Sequence, residues 1–389
     1  MRTVAVLGGG PAGSLAARQL AEAGARTILF DEKMAWEKPC GGGVTYKAYQ
    51  QYPYLADSLT PKRDVRSTWL HAPGAKSVSL CLQHPLLIYS RRVLNQLLLD
   101  RAAAAGASLE QSRVLGMERN GTGWSVRTAK HSISADFVIV ATGARNPLRE
   151  VGTIWRAEDT MHALGYYVES QQPHIDIQFF KQFEGYIWIF PRAGHLSVGI
   201  CGKGEPAQKL RQRLERFMDS RGLPYLNARF YAHMLPGLES SSWARNRIAG
   251  DGWLAVGDAA GLVDPITGEG IYYALRSGDL AGTLVAQGRE AEYRALLDAE
   301  FTRDLAYGST LAKRVFLGRF LFSPNTSRML QFLRRSPRLH DLMQGLFAGT
   351  IGYHELRHQI RGHFRSTMAE IALNVFLRRM VTPEEAALN

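Results

Sequence analysis

The chain opens with Thr3-Val4-Ala5-Val6-Leu7, an apolar run without polar alternation, as expected of a strand buried on both faces of a parallel sheet. Three glycines stop it. Ser14 to Ala23 is rich in Ala and Leu and reads as a helix with Gly24 at its C-cap, and Arg26-Thr27-Ile28-Leu29-Phe30 reads as a second strand closed by Asp31. This βαβ opening returns later in pieces. Val93 to Ala105 predicts a helix, Ala135 to Ala141 a buried strand ended by Thr142-Gly143, and Trp253 to Val256 another, followed by Gly257-Asp258 and, after Gly270, a helix. Short alternating segments in 107–134, broken by Asn120-Gly121, predict hairpin strands. In 160–202 the period becomes antiparallel, with strands over Ile175 to Phe180, Tyr186 to Phe190 and Leu196 to Cys201. From about Ala299 onward the chain reads as helical and basic, and there is no internal repeat.

Composition narrows the classes. The 389 residues are 46% hydrophobic, enough for a packed core, which excludes disorder, collagen and coiled coil. No apolar stretch approaches the roughly 18 to 20 residues of a membrane span, and Val4 to Leu7 is too short for a signal peptide. Cys40, Cys81 and Cys201 are widely spaced, so no metal site is expected and a reducing cytoplasmic compartment fits best. Lys and Arg number 47 against 35 Asp and Glu, a formal charge of +12 that attracts nucleic acid, anionic lipid or phosphorylated small molecules alike.

Gly8-x-Gly10-x-x-Gly13 supplies what a pyrophosphate needs at a strand-to-helix turn: room for the turn, close approach of backbone, and a helix N-terminus with free N–H groups and positive dipole. Asp31 ends the second strand where a ribose diol would lie. Flavin and nicotinamide dinucleotides share this pattern. The choice between them comes from Gly257-Asp258-Ala259-Ala260-Gly261 and Asp264-Pro265-Ile266-Thr267-Gly268-Glu269-Gly270-Ile271, which place a carboxylate beside a polyol and aim backbone N–H groups at an electron-rich ring edge.

At these residues the sequence resembles the FAD-dependent group that includes aromatic hydroxylases and geranylgeranyl reductases. The resemblance implies that Asp258 binds the ribityl chain, that Gly268 to Ile271 line the flavin pyrimidine edge, and that Arg91 lies near the FAD pyrophosphate. Lys38-Pro39-Cys40-Gly41-Gly42-Gly43 and Tyr186-Ile187-Trp188-Ile189-Phe190-Pro191 look like the Cys-Gly-Gly-Gly and Tyr-x-Trp-x-Phe-Pro signatures of the geranylgeranyl reductase family, so the likeness covers about residues 1–300. The fold expected is α/β: a discontinuous Rossmann-like FAD-binding domain (1–66, 89–158 and 246–300), an antiparallel β-sheet substrate domain (67–88 and 159–245) and a basic helical C-terminal region (301–389). The expected FAD contacts are Gly8, Gly10, Ala12, Gly13, Asp31, Lys33, Cys40, Gly41, Arg91, Val114, Thr142, Gly143, Gly257, Asp258, Pro265, Gly268, Gly270 and Ile271. Tyr186, Trp188 and Phe190, alternating onto one strand face, would form an aromatic wall with Pro191 for an apolar substrate.

Cys40 is the catalytic candidate. An isolated trisubstituted alkene accepts hydride poorly, so its reduction by flavin N5 needs a proton delivered to the other carbon, which a thiol of ordinary pKa near roughly 8.5 still holds at neutral pH. Cys81 and Cys201 read as small buried hydrophobes. Ala141-Thr142-Gly143-Ala144 departs from the Ala-Asp-Gly of flavin hydroxylases, and no second glycine fingerprint follows a strand. The reductant is therefore open between transient NAD(P)H and a ferredoxin-like donor protein.

The excess charge is localised. Residues 301–389 hold thirteen Lys and Arg against six Asp and Glu. Lys313-Arg314-Val315-Phe316-Leu317-Gly318-Arg319-Phe320-Leu321-Phe322 interleaves cations with large apolar groups, suited to an anionic lipid surface or a diphosphate-bearing prenyl chain, with Arg334-Arg335 and Arg378-Arg379 adding charge. No zinc, helix-turn-helix or RNA-binding signature accompanies it, which argues against nucleic acid. The leading expectation is a cytoplasmic FAD-dependent reductase of an isoprenoid or prenyl lipid, peripheral on the inner face of the membrane. A flavin monooxygenase or halogenase is the alternative, although a halogenase calls for Trp-x-Trp-x-Ile-Pro where this chain has Tyr186 and Phe190. A flavin-binding or partner-docking protein without chemistry is the third.

Overall fold

The structure is a computed structural model that describes residues 1–377 apart from Arg149 and Leu321, so the expected charge at Arg378-Arg379 lies outside the described residues. The chain divides into two compact units. The first comprises Met1–Lys38, Ser90–Thr160 and Met234–Ala306; the second comprises Pro39–Tyr89, Met161–His233 and Tyr307–Asn389.

The first unit is built on a six-stranded sheet in the order Ala249–Gly250, Trp253–Ala255, Phe137–Val140, Thr3–Leu7, Arg26–Asp31, Ser108–Gln111. All pairings are parallel except that of Ala249–Gly250. The uninterrupted apolar runs thus become the central strands, and Val4, Ala5, Val6, Val138 and Ile139 are fully buried. The helix Pro11–Glu22 follows the first strand and packs against Ile271–Gln287. A Cβ on Gly278 would lie 2.1 Å from the Ala12 carbonyl oxygen, so the two helices meet backbone to backbone there. The segments around Asn120-Gly121 form the expected antiparallel ribbon, Val114–Asn120, Gly123–Thr128 and Ser132–Ala135.

The second unit holds an eight-stranded sheet ordered Arg229–Pro236, Thr160–Val168, Leu196–Gly202, Gly185–Pro191, Ile175–Phe179, Lys62–His71, Val78–Tyr89, Gly43–Val44. The three strands expected in 160–202 are present and antiparallel. One pairing departs from the antiparallel expectation: Ile175–Phe179 runs parallel to Lys62–His71. The chain leaves for the first unit between these strands, and such a long crossover is what a parallel pair requires. On one sheet face Ile187, Ile189, Val198 and Ile200 pack with Leu210, Leu214 and Met218 of the helix Ala207–Ser220. Tyr186, Trp188 and Phe190 occupy the other face, with Ile177 and Gly199 level with Trp188 and Ser197 level with Phe190.

The helix Arg303–Leu317, from Tyr307 onward, and helices Asn325–Leu333, Pro337–Ala348, Tyr353–Gly362 and Phe364–Phe376 complete this part of the chain. Ser327 Oγ donates to the Pro73 carbonyl at 2.8 Å, and Gln344 Oε1 accepts from the Gln83 N–H at 3.2 Å, tying two of them to the Lys62–His71/Val78–Tyr89 hairpin. The helical expectation fails locally. Between the first two helices the chain doubles back as a short ribbon, Arg319–Phe320 with Ser323–Pro324. Gly318 begins it, its backbone wedged so that a Cβ would lie 2.2 Å from the Arg314 carbonyl, and Pro324 stands where a continuing helix would need an N–H donor. No described helix is long and apolar enough to cross a membrane.

Candidate functional site

In the first unit the glycine fingerprint makes the turn from Thr3–Leu7 into Pro11–Glu22. Gly8 has φ +121°, and a Cβ there would stand 2.2 Å from the Ala141 carbonyl, so no other residue fits. Gly10, by contrast, has nothing within 4 Å of a built Cβ and no side chain caps the helix it precedes, leaving open space against the first N–H groups of that helix. Ala12 lies in the first turn, buried. Asp31 holds the loop beside this turn: Oδ2 accepts from the Gly9 N–H at 2.7 Å, and Oδ1 accepts from Lys33 and Met34 N–H at 2.7 and 2.8 Å. Lys33 extends over the Trp36 ring, 4.5 Å from its centroid.

The second turn abuts the first, since a Cβ on Gly257 would meet the Ala12 Cβ at 3.1 Å. Asp258 is paired with Lys38 Nζ at 2.9 Å, both largely buried. Asp264 fixes the following loop by accepting from Ile266 and Thr267 N–H at 2.9 and 2.8 Å, around the buried Pro265. Gly268 and Gly270 then deliver the chain to the helix starting at Ile271, where Glu269 Oε1 accepts the Tyr272 N–H at 2.8 Å. Burial, with Asp264 nearby, pushes the Glu269 carboxyl up to about 7, against the lowering effect of the helix N–H groups and Arg91.

Arg91 opens the helix Arg91–Ala104 and is 4% exposed. Its Nη2 donates to Asn95 Oδ1 at 3.3 Å, while its Nε is buried with no protein acceptor. A guanidinium N–H kept from both water and protein is a costly arrangement that an anion relieves. Glu37 sets this helix end: Oε1 accepts the Arg91 N–H at 2.9 Å, Oε2 the Arg92 N–H at 3.3 Å, and the Ser90 hydroxyl also donates to it. Thr142 donates to Asn146 at 3.4 Å, Gly143 faces open space, and Val114 starts an outer ribbon strand paired with Thr128.

The second unit carries Cys40, Gly41 and the aromatic strand. Gly41 and Gly43 lie flat on the Phe190 ring, where a Cβ would approach it to 3.2 and 3.0 Å. The Cys-Gly-Gly-Gly stretch and the Tyr-x-Trp-x-Phe-Pro stretch are thus one packed object. Gly42 has φ +88° and pairs with Tyr89. The Cys40 Sγ accepts the Gly42 N–H at 3.3 Å. Its carbonyl accepts from Arg192 Nη2 and from Ser197 Oγ, the latter at 3.1 Å, and Arg192 Nε donates to the Gly41 carbonyl at 3.3 Å. Arg192 is 0% exposed, with its guanidinium 5.2 Å from the Tyr167 ring centroid. Behind Ser197 the Tyr231 hydroxyl stands at 2.9 Å, its pKa pushed well up by burial. Cys201 is buried and its thiol is raised to about 12, which makes it inert, as its sequence reading held; Cys81, read the same way, is only half-buried, on the strand Val78–Tyr89.

Arg192, Ser197 and Tyr231 carry no motif of their own. Arg192 directly follows the aromatic signature, and a cation abutting a buried strand was the signal available. Glu37 and Lys38 act through partners distant in sequence, which spacing does not reveal, while Glu269 turns back on the Tyr272 N–H three residues on. No cluster of His, Cys, Asp and Glu suited to a metal occurs among the described residues.

Residues 77–293 match the family model described as FAD dependent oxidoreductase. The digeranylgeranylglycerophospholipid reductase of Methanothrix thermoacetophila is 31% identical over 314 residues, 73% of this chain and 77% of that protein. The chloroplastic geranylgeranyl diphosphate reductase of Nicotiana tabacum is 28% identical over 363 residues, 84% of this chain and 76% of that protein. Among solved structures, a geranylgeranyl bacteriochlorophyll reductase-like protein from Thermoplasma acidophilum superposes with a TM-score of 0.76 at 22% identity, covering 93% of this chain and 99% of that one. Flavin-dependent halogenases share the fold alone, at lower scores. The chain belongs to the FAD-dependent oxidoreductase family, in the group of the geranylgeranyl reductases.

Proposed function

We propose that this enzyme saturates isolated double bonds of an isoprenoid carried by a prenyl diphosphate, a prenyl lipid or a quinone side chain. The observation that carries the reading is the packing of Gly41 and Gly43 on Phe190, which joins a thiol-bearing turn to an aromatic strand in one rigid piece. A polyprenyl chain offers only dispersion contacts, and Tyr186, Trp188 and Ile177 on one sheet face suit it.

FAD, when bound and reduced, supplies the hydride. The open helix end at Gly10 and the buried Arg91 Nε fit its pyrophosphate, with Gly8, Ala12 and Gly13 shaping the turn and Asp31 the adjoining loop. Asp258 suits the ribityl hydroxyls, with Gly257, Pro265, Gly268, Gly270 and Ile271 around the ring edge, and Thr142, Gly143, Val114 and Lys33 complete the proposed contacts. Cys40 holds a proton at Sγ and gives it to the alkene carbon that does not receive hydride; the thiolate is reprotonated from solvent. Arg192 and Ser197 fix the carbonyl of Cys40, and the Gly42 N–H fixes its sulfur, so the thiol is preorganised.

The reductant is NAD(P)H or a ferredoxin-like protein, and the basic stretch 313–322 favours work at an anionic membrane surface on the cytoplasmic side. The test is anaerobic mixing of the reduced enzyme with geranylgeranyl diphosphate, followed by mass spectrometry. Gains of hydrogen pairs are expected; a product that forms only with oxygen or halide overturns the reading. In the same assay Cys40→Ser and Cys40→Ala should lose about 10²-fold or more in turnover with FAD content unchanged, and full turnover in both removes Cys40 as proton donor.

A further inference from the structure

We propose that the ribbon Arg319–Phe320/Ser323–Pro324 is a bilayer-insertion element that seats the second unit on an anionic lipid surface. It deepens the preceding reading and rests on it for the view that the enzyme works at lipid, while standing on separate residues.

The helix Arg303–Leu317 ends where Gly318 lets the chain reverse, and the reversal projects large apolar groups outward. Phe322 is 94% exposed, Phe320 48% and Leu317 41%. Single exposed hydrophobes are ordinary, but three within six residues at a chain reversal are not. Phe322 also has φ +65°, a conformation that L-residues avoid and that a surface loop free to choose would give to Gly or Asn. Strain held at an exposed aromatic argues for a function of that aromatic.

The surroundings say which surface it meets. Arg319 Nη2 donates to the Phe322 carbonyl at 3.0 Å and Arg328 Nε to the Phe320 carbonyl at 3.3 Å, so two guanidinium groups satisfy carbonyls of the ribbon while keeping their charge beside its apolar tip. Lys313 and Arg314 lie exposed near the end of the preceding helix. Over residues 307–340 there are seven Lys and Arg and no Asp or Glu. A second copy of this chain would oppose cations to cations, and a nucleic acid would leave the phenylalanines without a role. Apolar tips ringed by cations match lipid phosphates over acyl chains.

Flotation of the full-length holoenzyme with phosphatidylcholine vesicles, with and without phosphatidylglycerol, tests this. The wild type should float with the anionic vesicles, and Phe320→Ser/Phe322→Ser should lose at least about tenfold in bound fraction while keeping its FAD content and its turnover of a water-soluble short-chain prenyl diphosphate. Phe322→Ser alone should lose part of this, and Arg319→Gln/Arg328→Gln should weaken binding and flatten its salt dependence. The proposal is overturned if the double phenylalanine variant floats like the wild type, if neither vesicle binds the wild type, or if light scattering without vesicles shows that the substitutions abolish self-association instead. Binding through Phe320 and Phe322 by an enzyme that saturates no prenyl substrate would sink the reductase reading and leave this one standing.

Discussion

At the residue scale, two groups carry burial costs that the fold must offset. Glu269 titrates near 4.5 when unfolded and at about 7 in the fold, so between those values the folded chain binds a proton that the unfolded chain has released. Raising pH through that window therefore weakens the fold. Urea unfolding of the flavin-free protein should show the wild type losing about 2 kcal/mol relative to Glu269→Gln between roughly pH 5 and pH 7.5; parallel curves would show that Glu269 is not the titrating group. Arg192, fully buried and donating to the carbonyls of Cys40 and Gly41, is the counterpart in the second unit. Arg192→Ala leaves those acceptors stranded and should cost about 3 kcal/mol or more. Gly42→Ala asks a residue at φ +88° to place a Cβ 2.0 Å from the Tyr89 carbonyl, and should cost at least about 2 kcal/mol and lower turnover through a displaced Cys40.

At the element scale, the approach of Pro11–Glu22 to Ile271–Gln287 decides where two helix N-termini point. Gly278→Ala would push a methyl against the Ala12 carbonyl, and overpacking of this kind costs about 1–3 kcal/mol. Because the displaced helix carries the fingerprint turn, FAD affinity should fall more than stability, a difference that flavin fluorescence titration beside thermal unfolding would register; equal or no change would disconnect the crossing from the cofactor. The sequence made these elements legible because uninterrupted runs such as Val4 to Leu7 and Phe137 to Val140 have a single physical reading, a strand covered on both sides. The hairpin Lys62–His71/Val78–Tyr89 was less visible, since its bulge between Val65 and Ser67 breaks the alternation that marks a strand. The parallel pairing of Ile175–Phe179 with Lys62–His71 was not visible at all, being fixed by chain routing rather than by either strand's residues. In the candidate site the glycine motifs and Cys40 declared themselves, whereas Glu37 at the end of Arg91–Ala104 and Arg192 beneath Cys40 depend on neighbours more than fifty and one hundred and fifty positions away.

At the scale of the whole molecule, the charge of +12 is unevenly spread, with the 307–340 stretch wholly cationic. The proposed membrane association should therefore weaken as salt shortens the Debye length from about 10 Å at 0.1 M to about 3 Å at 1 M; salt-insensitive flotation would mean that apolar contact alone suffices. Neither unit is contiguous: the chain passes from one to the other after residues 38, 89, 160, 233 and 306. The first strand, Thr3–Leu7, sits between Arg26–Asp31 and Phe137–Val140, so its second neighbour is made some 130 residues later. Trp253–Ala255 and Ile271–Gln287 arrive later still, so the first core closes only when nearly all of it has been translated. At roughly 5–20 residues per second on the ribosome, that leaves an apolar strand unsheltered for about 15 to 60 s, which makes the nascent chain a client for chaperones and makes its yield sensitive to the speed of translation.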